Sequence, residues 1–466
     1  LNQSKFVLHN NLVKLDIYKH FFFIGIAGTG MSAIAQYLQA AGKRVSGSDR
    51  QFSPGKKLLI QQQFEAMDIH CFEQDGSGIN RDIDVVVVST AIEESNIEYR
   101  KAIDLGIPLI KRSELLAIIS ASKRCIAVGG TAGKSTTTAM IFHIMQHNGF
   151  DPSLMTGAGL ASLQARNLPG NAWAGQSEWM VIEADESDGS IVNYKPEIAV
   201  LLNIDKDHKE EKELMQLFET FKKNTGKRFI VNDNHPLTSL LSQNKRFDFG
   251  FSADVGFTGT DFLQKDFSIH FRINDEPFTL SLIGQHNMEN ALAATAVCAA
   301  VGISLVDAAC ALKSFKGIYR RTQLVGKKRG IFVIDDFAHN PAEVAAAIQA
   351  CMPVGKRVLA WFQPHGFGPL RFMHEELIAQ LTTILRPQDI FFISDVYYAG
   401  GTADKNIQSD VVTTALAKAG KKAIYVPDRN KLLQVFPSLS ASDVILLMGA
   451  RDPSLGEFAE GVFCRL

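Results

Sequence analysis

The chain has 466 residues, 46% of them hydrophobic and 21% charged, with a formal net charge of −1. That length suggests about three domains with several buried cores, and the near-neutral balance gives no global attraction to nucleic acid or anionic lipid. No apolar run approaches the ~20 residues of a membrane span, the opening LNQSKFVLHNNLVKLD is not a signal peptide, and six scattered cysteines without a C-x-x-C pair read as thiols of a reducing cytoplasm, with Cys71, Cys125 and Cys298 buried.

Strand-like and helix-like runs alternate almost throughout, which predicts parallel sheets covered by helices. The first block carries strands at 21–26, 44–48 and 84–89, with helical stretches at 31–41, 54–66, 97–105 and 113–120. Its first strand ends in Gly25-Ile26-Ala27-Gly28-Thr29-Gly30 and leads into a helix at Met31. This is a dinucleotide-fold turn whose spacing departs from G-x-G-x-x-G. Asp49 ends the next strand, where an acidic residue commonly meets a ribose hydroxyl. Ser89-Thr90-Ala91-Ile92 ends a later strand and would line the same crevice. A phosphorylated or nucleotide-linked ligand is the favoured reading; NAD and a βαβ unit without a ligand stay open.

The second block opens with a strand at 125–128 that runs into GGTAGKSTT at 129–137, followed by the helix 135–147. A glycine-rich turn lets backbone N–H groups face nucleotide phosphates, Lys134 offsets their charge, and the Ser135 hydroxyl can sit on Mg²⁺. Val128 stands where G-x-x-x-x-G-K-[ST] wants glycine, so the loop is a shortened variant. Strands at 179–183 and 198–202 deliver Glu183-Ala184-Asp185-Glu186-Ser187-Asp188 and Asn203-Ile204-Asp205-Lys206-Asp207-His208. Carboxylates packed this densely repel one another unless cations share the site, which favours Mg²⁺ over a merely solvated loop. A helix at 211–224, a strand at 228–231, a β-rich excursion at 247–282 and helices at 288–300 and 305–314 follow. Gly284-Gln285-His286-Asn287-Met288-Glu289-Asn290 introduces the first of those helices, either as a cap or as a holder of a base or phosphate. The third block starts near Tyr319, with strands at 331–335, 357–362, 390–394, 422–426 and 443–447.

The fold class is therefore α/β in three domains. A Rossmann-like N-terminal domain spans 1–120. A central P-loop ATPase domain, with a parallel sheet and the β-rich excursion, spans 121–317. A C-terminal Rossmann-like domain spans 318–466.

GIAGTGMSAIA, GGTAGKSTTTAM, EADESDGS, GQHNMENALAA, YRRTQLVG and DDFAHNPAEV occur in this order along the chain. In these strings the chain resembles the Mur ligases, ATP-dependent ligases that add amino acids to UDP-N-acetylmuramic acid. The glycine turn, EADESD and FQPH at 362–365 look most like the branch that adds L-alanine. The relatives that attach a murein tripeptide are similar too.

The resemblance implies ATP and Mg²⁺ as cofactors. Lys134 would contact the β- and γ-phosphates, with the loop from Thr131, Ala132 and Gly133 to Ser135 and Thr136 around them. Ser135, Glu183 and His208 would hold the metal, the last two at the family's separation. His286, Asn287 and Asn290 would approach the adenine and ribose, and Arg321, Asp336 and His339 would complete the ATP site, with Lys134, Glu183, His208 and Arg321 as the catalytic set. Gly28, Thr29, Gly30, Met31, Asp49, Thr90 and Ala91 would hold the UDP end of the substrate, and His365 and Arg371 the incoming amine. The resemblance also implies a cytoplasmic monomer or homodimer whose partners are UDP-N-acetylmuramate, or a related UDP-sugar acid, and an amino acid or peptide amine.

Two departures stand out. Ala132 replaces the family's usual loop histidine, which leaves the backbone cradle in place. Gly366 and Pro369 stand where arginines would meet the amino acid's carboxylate, and only Arg371 remains. Glycine and proline cannot supply a bidentate fork, so the acceptor is either L-alanine held by fewer groups or a larger peptide or other amine. Neutralising the amine for attack falls to His208 or another base. A nucleotide-binding scaffold without ligation is the reading from a different class; the retained Lys134, Ser135, Glu183 and His208 argue against it.

Overall fold

The computed structural model describes residues 15–55, 57–205, 210–398 and 405–466. They fall into two compact units: one takes the chain up to Thr260 with Arg272–Phe278 and Glu289–Ile318, the other Asp261–Phe271, Thr279–Met288 and Tyr319–Leu466.

The first unit holds two sheets. In the first, β1 (His20–Ile24), β2 (Arg44–Asp49), β3 (His70–Glu73), β4 (Val85–Val88) and β5 (Leu109–Lys111) take the order β3-β2-β1-β4-β5, all pairs parallel. Phe21 to Ile24 and Val85 to Val88 are buried on both faces, as the central strands of a helix-covered parallel sheet must be. The order reverses at β1, so a crevice opens where β1 and β4 end. The second sheet comprises β6 (Arg124–Gly129), β7 (Ser153–Met155), β8 (Ala172–Trp173), β9 (Trp179–Glu183), β10 (Ile198–Leu201) and β11 (Arg228–Val231), in the order β11-β10-β6-β9-β7-β8. Only β7 and β8 pair antiparallel in it. A single hydrophobic cluster runs from Phe21 and Phe23 through Leu115 and Tyr194 to Phe218 and Phe221, so the first two sequence blocks share one core.

The β-rich excursion is a four-stranded sheet of β12 (Phe249–Gly250), β13 (Phe257–Lys265), β14 (Ser268–Ile273) and β15 (Glu276–Leu280). The second unit is built on β16 (Gln323–Lys328), β17 (Ile331–Asp336), β18 (Arg357–Gln363), β19 (Ile390–Ile393), β20 (Ala423–Tyr425) and β21 (Asp443–Gly449), in the order β16-β17-β21-β18-β19-β20. All of its pairs are parallel except β16 with β17. The last strand in sequence sits in the middle, so β17, β21 and β18 present their C-terminal ends side by side.

Some expected boundaries shift. The helix expected over 54–66 is Leu59–Ala66, because Pro54 and Gly55, the latter at φ +94°, make a turn instead, and Lys56 lies outside the described residues. The alanine-rich helix begins at Gln285, three residues early, which puts His286, Asn287 and Asn290 on its first turns rather than ahead of it. Cys125 and Cys298 are buried as expected, whereas Cys71 is only half-buried.

Candidate active site

The second sheet builds the phosphate loop at its own point of reversal. β6 ends at Gly129, the chain turns through Gly130 and Gly133 at φ +136° and +83°, and the helix Lys134–His147 begins. Gly133 is required twice over: its φ is left-handed, and a Cβ there would lie 2.6 Å from Asn290 Oδ1. Asn290 therefore stands against the loop, and Thr137 Oγ1 donates to its Oδ1 at 3.2 Å.

Asn203, just past β10, braces the other side. Its Oδ1 accepts from Ala132 N at 2.8 Å and from Thr131 Oγ1 at 2.9 Å, and its Nδ2 donates to Ala132 O at 3.1 Å. The loop keeps its shape at Ala132 without a histidine because this amide holds both backbone groups of that residue.

The charges of the loop are already matched by the protein. Lys134 Nζ donates to Gly130 O at 2.6 Å and pairs with Glu186 Oε2 at 3.0 Å. Burial works against the Lys134 charge, but Glu186, Asp185 and Glu183 outweigh it and hold the ammonium above the ordinary lysine value. Burial pushes Glu186 up against the pull of Lys134. Glu183, at the end of β9, accepts from Ser135 Oγ at 2.7 Å, from Thr156 Oγ1 at 2.7 Å and from the Gly157 amide. Ser135 and Glu183 thus lie side by side, as a hydroxyl and a carboxylate sharing one cation would. His208, the third expected metal residue, lies outside the described residues. Thr136 is on the first turn of the loop helix.

The crevice of the first sheet continues into this region. A cavity of about 320 Å³ is walled by Gly28, Thr29, Gly30 and Met31 on one side and by Lys134, Glu183 and Asp185 on the other. Asp49 is not on its wall. It is buried beneath the glycine turn, where Oδ2 accepts from Ala27 N at 3.0 Å and Oδ1 from Gln51 N at 3.0 Å, so it helps to shape the turn. Thr90 and Ala91 are exposed and off the wall; their neighbour Ser89 lines it.

The second unit gathers another set at the ends of β17 and β18. Arg321 Nη1 lies 3.7 Å from Glu343 Oε1, and His339 Nδ1 lies 2.9 Å from Glu343 Oε2. Burial lowers the His339 basicity, but Glu343 more than restores it and holds the imidazole above its ordinary value. Burial raises Glu343, yet His339 and Arg321 bring it down to about 2. The His339 ring meets the His365 ring at 5.2 Å, edge to face, so an expected ATP residue and an expected acceptor residue touch. Asp336 accepts from Thr322 N at 2.6 Å, Thr322 Oγ1 at 3.1 Å and Ala338 N at 2.7 Å, so it fixes the segments that carry Arg321 and His339. His286 and Asn287 belong to this unit, with His286 exposed and Asn287 buried. Arg371 is exposed on the first turns of the helix Phe367–Ile384, which starts at Gly366 without a side-chain cap.

Sequence reasoning did not single out Arg112, Thr156, Glu186, Asn203 or Glu343 as individual groups. Glu186 was inside the acidic string and Asn203 directly after a strand, which were the available signals.

Three family models cover the chain in order: "Mur ligase family, catalytic domain" at residues 20–124, "Mur ligase middle domain" at 128–298 and "Mur ligase, glutamate ligase domain" at 320–451. The UDP-N-acetylmuramate–L-alanine ligase of Pelotomaculum thermopropionicum is 33% identical, over 94% of this chain and 96% of that protein. That of Carboxydothermus hydrogenoformans is 34% identical, over 92% and 93%. Among solved structures, the UDP-N-acetylmuramate-alanine ligase of Thermotoga maritima superposes with a TM-score of 0.78 at 26% identity, covering 96% of this chain and 98% of that one. A murein peptide ligase from Psychrobacter arcticus shares the fold, with a TM-score of 0.65 at 22% identity over 96% and 98%.

Proposed function

The chain belongs to the Mur ligase family, and we infer from that membership and from the phosphate loop that it joins the carboxylate of UDP-N-acetylmuramate to the amine of L-alanine in peptidoglycan precursor synthesis, with conversion of ATP to ADP and phosphate. The observation that carries the reading is the loop itself: Lys134 poised on Glu186, and Ser135 beside Glu183, on either side of a glycine cradle. We propose that 1–120 binds the UDP-substrate, 121–317 ATP, and 318–466 the acceptor and the far side of ATP; the three family models, at 20–124, 128–298 and 320–451, support a division near these points.

A carboxylate acylates poorly because oxide is a poor leaving group. Transfer of the γ-phosphoryl of ATP to it makes an acyl phosphate. The neutral amine attacks, and the tetrahedral intermediate collapses with loss of phosphate. Each anionic stage needs fixed positive charge and amide donors, which Lys134 and the loop Thr131–Thr136 provide. Lys134 Nζ donates to Gly130 O and Glu186, and a third N–H remains for a phosphate oxygen.

The residues present fit Mg²⁺. Glu183 is held by three donors, one of them the Ser135 hydroxyl that would share the ion, and His208 would complete the set. The ion supplies charge neutralisation of the phosphates when bound. Arg321 and His339 would serve the nucleotide from the third domain, and His365 and Arg371 the amine and its carboxylate. Asn290, set against Gly133, supports the assignment of the helix start, with His286 and Asn287, to adenine and ribose. Gly28 to Met31 on the cavity wall support the placement of the UDP diphosphate; Asp49, Thr90 and Ala91 would hold the UDP end with them. We place the enzyme in the cytoplasm, where ATP and UDP-sugars are made, as a monomer or homodimer. Among the described residues no helix is long and apolar enough to cross a membrane.

The absence of arginine at 366 and 369 favours a second reading in which a murein tripeptide is the acceptor. A panel of amines with UDP-N-acetylmuramate, ATP and Mg²⁺, read by product mass, separates the two. L-alanine as the best acceptor supports the main reading, tripeptide as the best acceptor supports the second, and no product with any amine overturns both.

A further inference from the structure

Arg321 is the cation that the proposed chemistry draws from the second unit, and its side chain is 33% exposed. Its two neighbours in sequence are pinned. Arg320 and Thr322 both sit in the left-handed region, at φ +55° and +48°. A residue with a side chain resists that backbone, so tertiary contacts must hold it there. Two consecutive carboxylates at the end of β17 do so. Asp336 accepts from Thr322 N at 2.6 Å and from Thr322 Oγ1 at 3.1 Å. Asp335 takes the Arg320 guanidinium, whose Nε donates to Oδ2 at 2.8 Å and to Oδ1 at 3.1 Å.

Arg320 is tied at more points than an ion pair needs. Its Nη2 donates to Gly449 O, at the end of β21, at 2.8 Å. Its own amide donates to Gln323 Oε1 at 2.8 Å, and its carbonyl accepts from Phe337 N at 2.7 Å. The Arg320 side chain is 7% exposed and that of Asp335 3%. Tyr319 is anchored too: a Cβ on Gly456 would collide with its hydroxyl. A buried ion pair is a poor source of stability, because desolvating two charges cancels much of their attraction. What it does is demand one geometry. The geometry demanded here is that of the backbone carrying Arg321.

We propose that Arg320 is a positioning residue for the ligation: gripped by Asp335, it holds the turn that presents Arg321 to the nucleotide phosphates. The inference rests on the functional reading above and adds to it a buried pair that acts only through Arg321. The adjacent carboxylates then divide the work, Asp335 holding the residue before Arg321 and Asp336 the residue after it.

A mutant cycle on the full chain tests this, read as kcat with saturating UDP-N-acetylmuramate, ATP, Mg²⁺ and L-alanine, or murein tripeptide if the amine panel selects it. Assays run well below the lowest melting temperature of the set, so loss of fold does not enter. Arg320→Ala should lower kcat about tenfold or more in the unaltered chain and less than about twofold in the Arg321→Ala background. Asp335→Asn should follow the same pattern with a smaller loss. Arg320→Lys, which keeps the charge and loses the planar fork, takes the alanine variant's place in the cycle if that variant does not fold. Equal losses in the two backgrounds, or no loss in the first, overturn the proposal, because the pair would then act independently of Arg321 or not at all. The functional reading fails separately, if the unaltered chain forms no ligated product with any amine.

Discussion

The phosphate loop of the first unit and the Arg321–Glu343–His339 cluster of the second are built on opposite plans. In the loop, the geometry is made by backbone and small residues: Gly130, Gly133 and the amide of Asn203 set the shape, and the charged groups are pinned against it. In the second cluster, one carboxylate, Glu343, organises two cations from different segments, and Gly366 and Pro369 stand nearby in sequence where the family resemblance implies arginines. The lesson is about tolerance. A cradle of amides tolerates Ala132, whereas recognition by side-chain forks weakens when a fork is lost.

The comparison breaks most sharply at Lys134. Lys134→Ala should lower turnover by about a thousandfold or more, since phosphoryl transfer leans on electrostatics. Glu186→Gln in the same background relieves the unpaired buried carboxylate, and a melt near that of the unaltered chain would show that the loss is chemical. Retained turnover would remove the loop from the mechanism. Glu183→Gln comes next, with a loss of about a hundredfold that added Mg²⁺ partly restores, measured as turnover against metal concentration.

The second cluster should respond through pH instead. His339 is raised by Glu343, so its contribution to stability is complete below the ordinary histidine value of about 6.5 and is lost as pH rises through its raised value. Glu343 is depressed to about 2, so its contribution is present above the ordinary carboxylate range and is lost as pH falls through about 2. Glu343→Gln should therefore lower the melting temperature by about 1–3 °C near pH 5–6, with the deficit shrinking on the alkaline side. A deficit that grows with pH would contradict the pair. The smallest effect is expected at Arg371. An exposed cation acting without a second fork should raise the amine KM only about threefold on change to alanine, with the KM for ATP unmoved.

How much was legible follows from the same contrast. Phe21–Ile24 and Val85–Val88 announce themselves because strands buried on both faces are continuously apolar. β16, QLVGKK, does not: it is antiparallel, partly exposed and broken by a bulge between Leu324 and Gly326, so no alternation survives. β7 and β8 are too short to show a period. At the site, Lys134, Ser135 and Glu183 were readable because a strand-turn-helix forces them into one stretch or onto a neighbouring strand end. Their partners were not. Thr156 reaches Glu183 and Asn203 reaches Ala132 across 27 and 71 residues, and such contacts leave no spacing in a sequence. Asp49 was legible as a strand end, but the Ala27 and Gln51 amides that it accepts from were not.

On the proposed function, the phosphate loop moves a phosphoryl group onto the substrate's carboxylate. UDP-N-acetylmuramate labelled with ¹⁸O in that carboxylate, turned over with ATP, Mg²⁺ and L-alanine, tests it directly. The phosphate released should carry one labelled oxygen per turnover. Unlabelled phosphate, with all the label retained in the amide product and water, would contradict it.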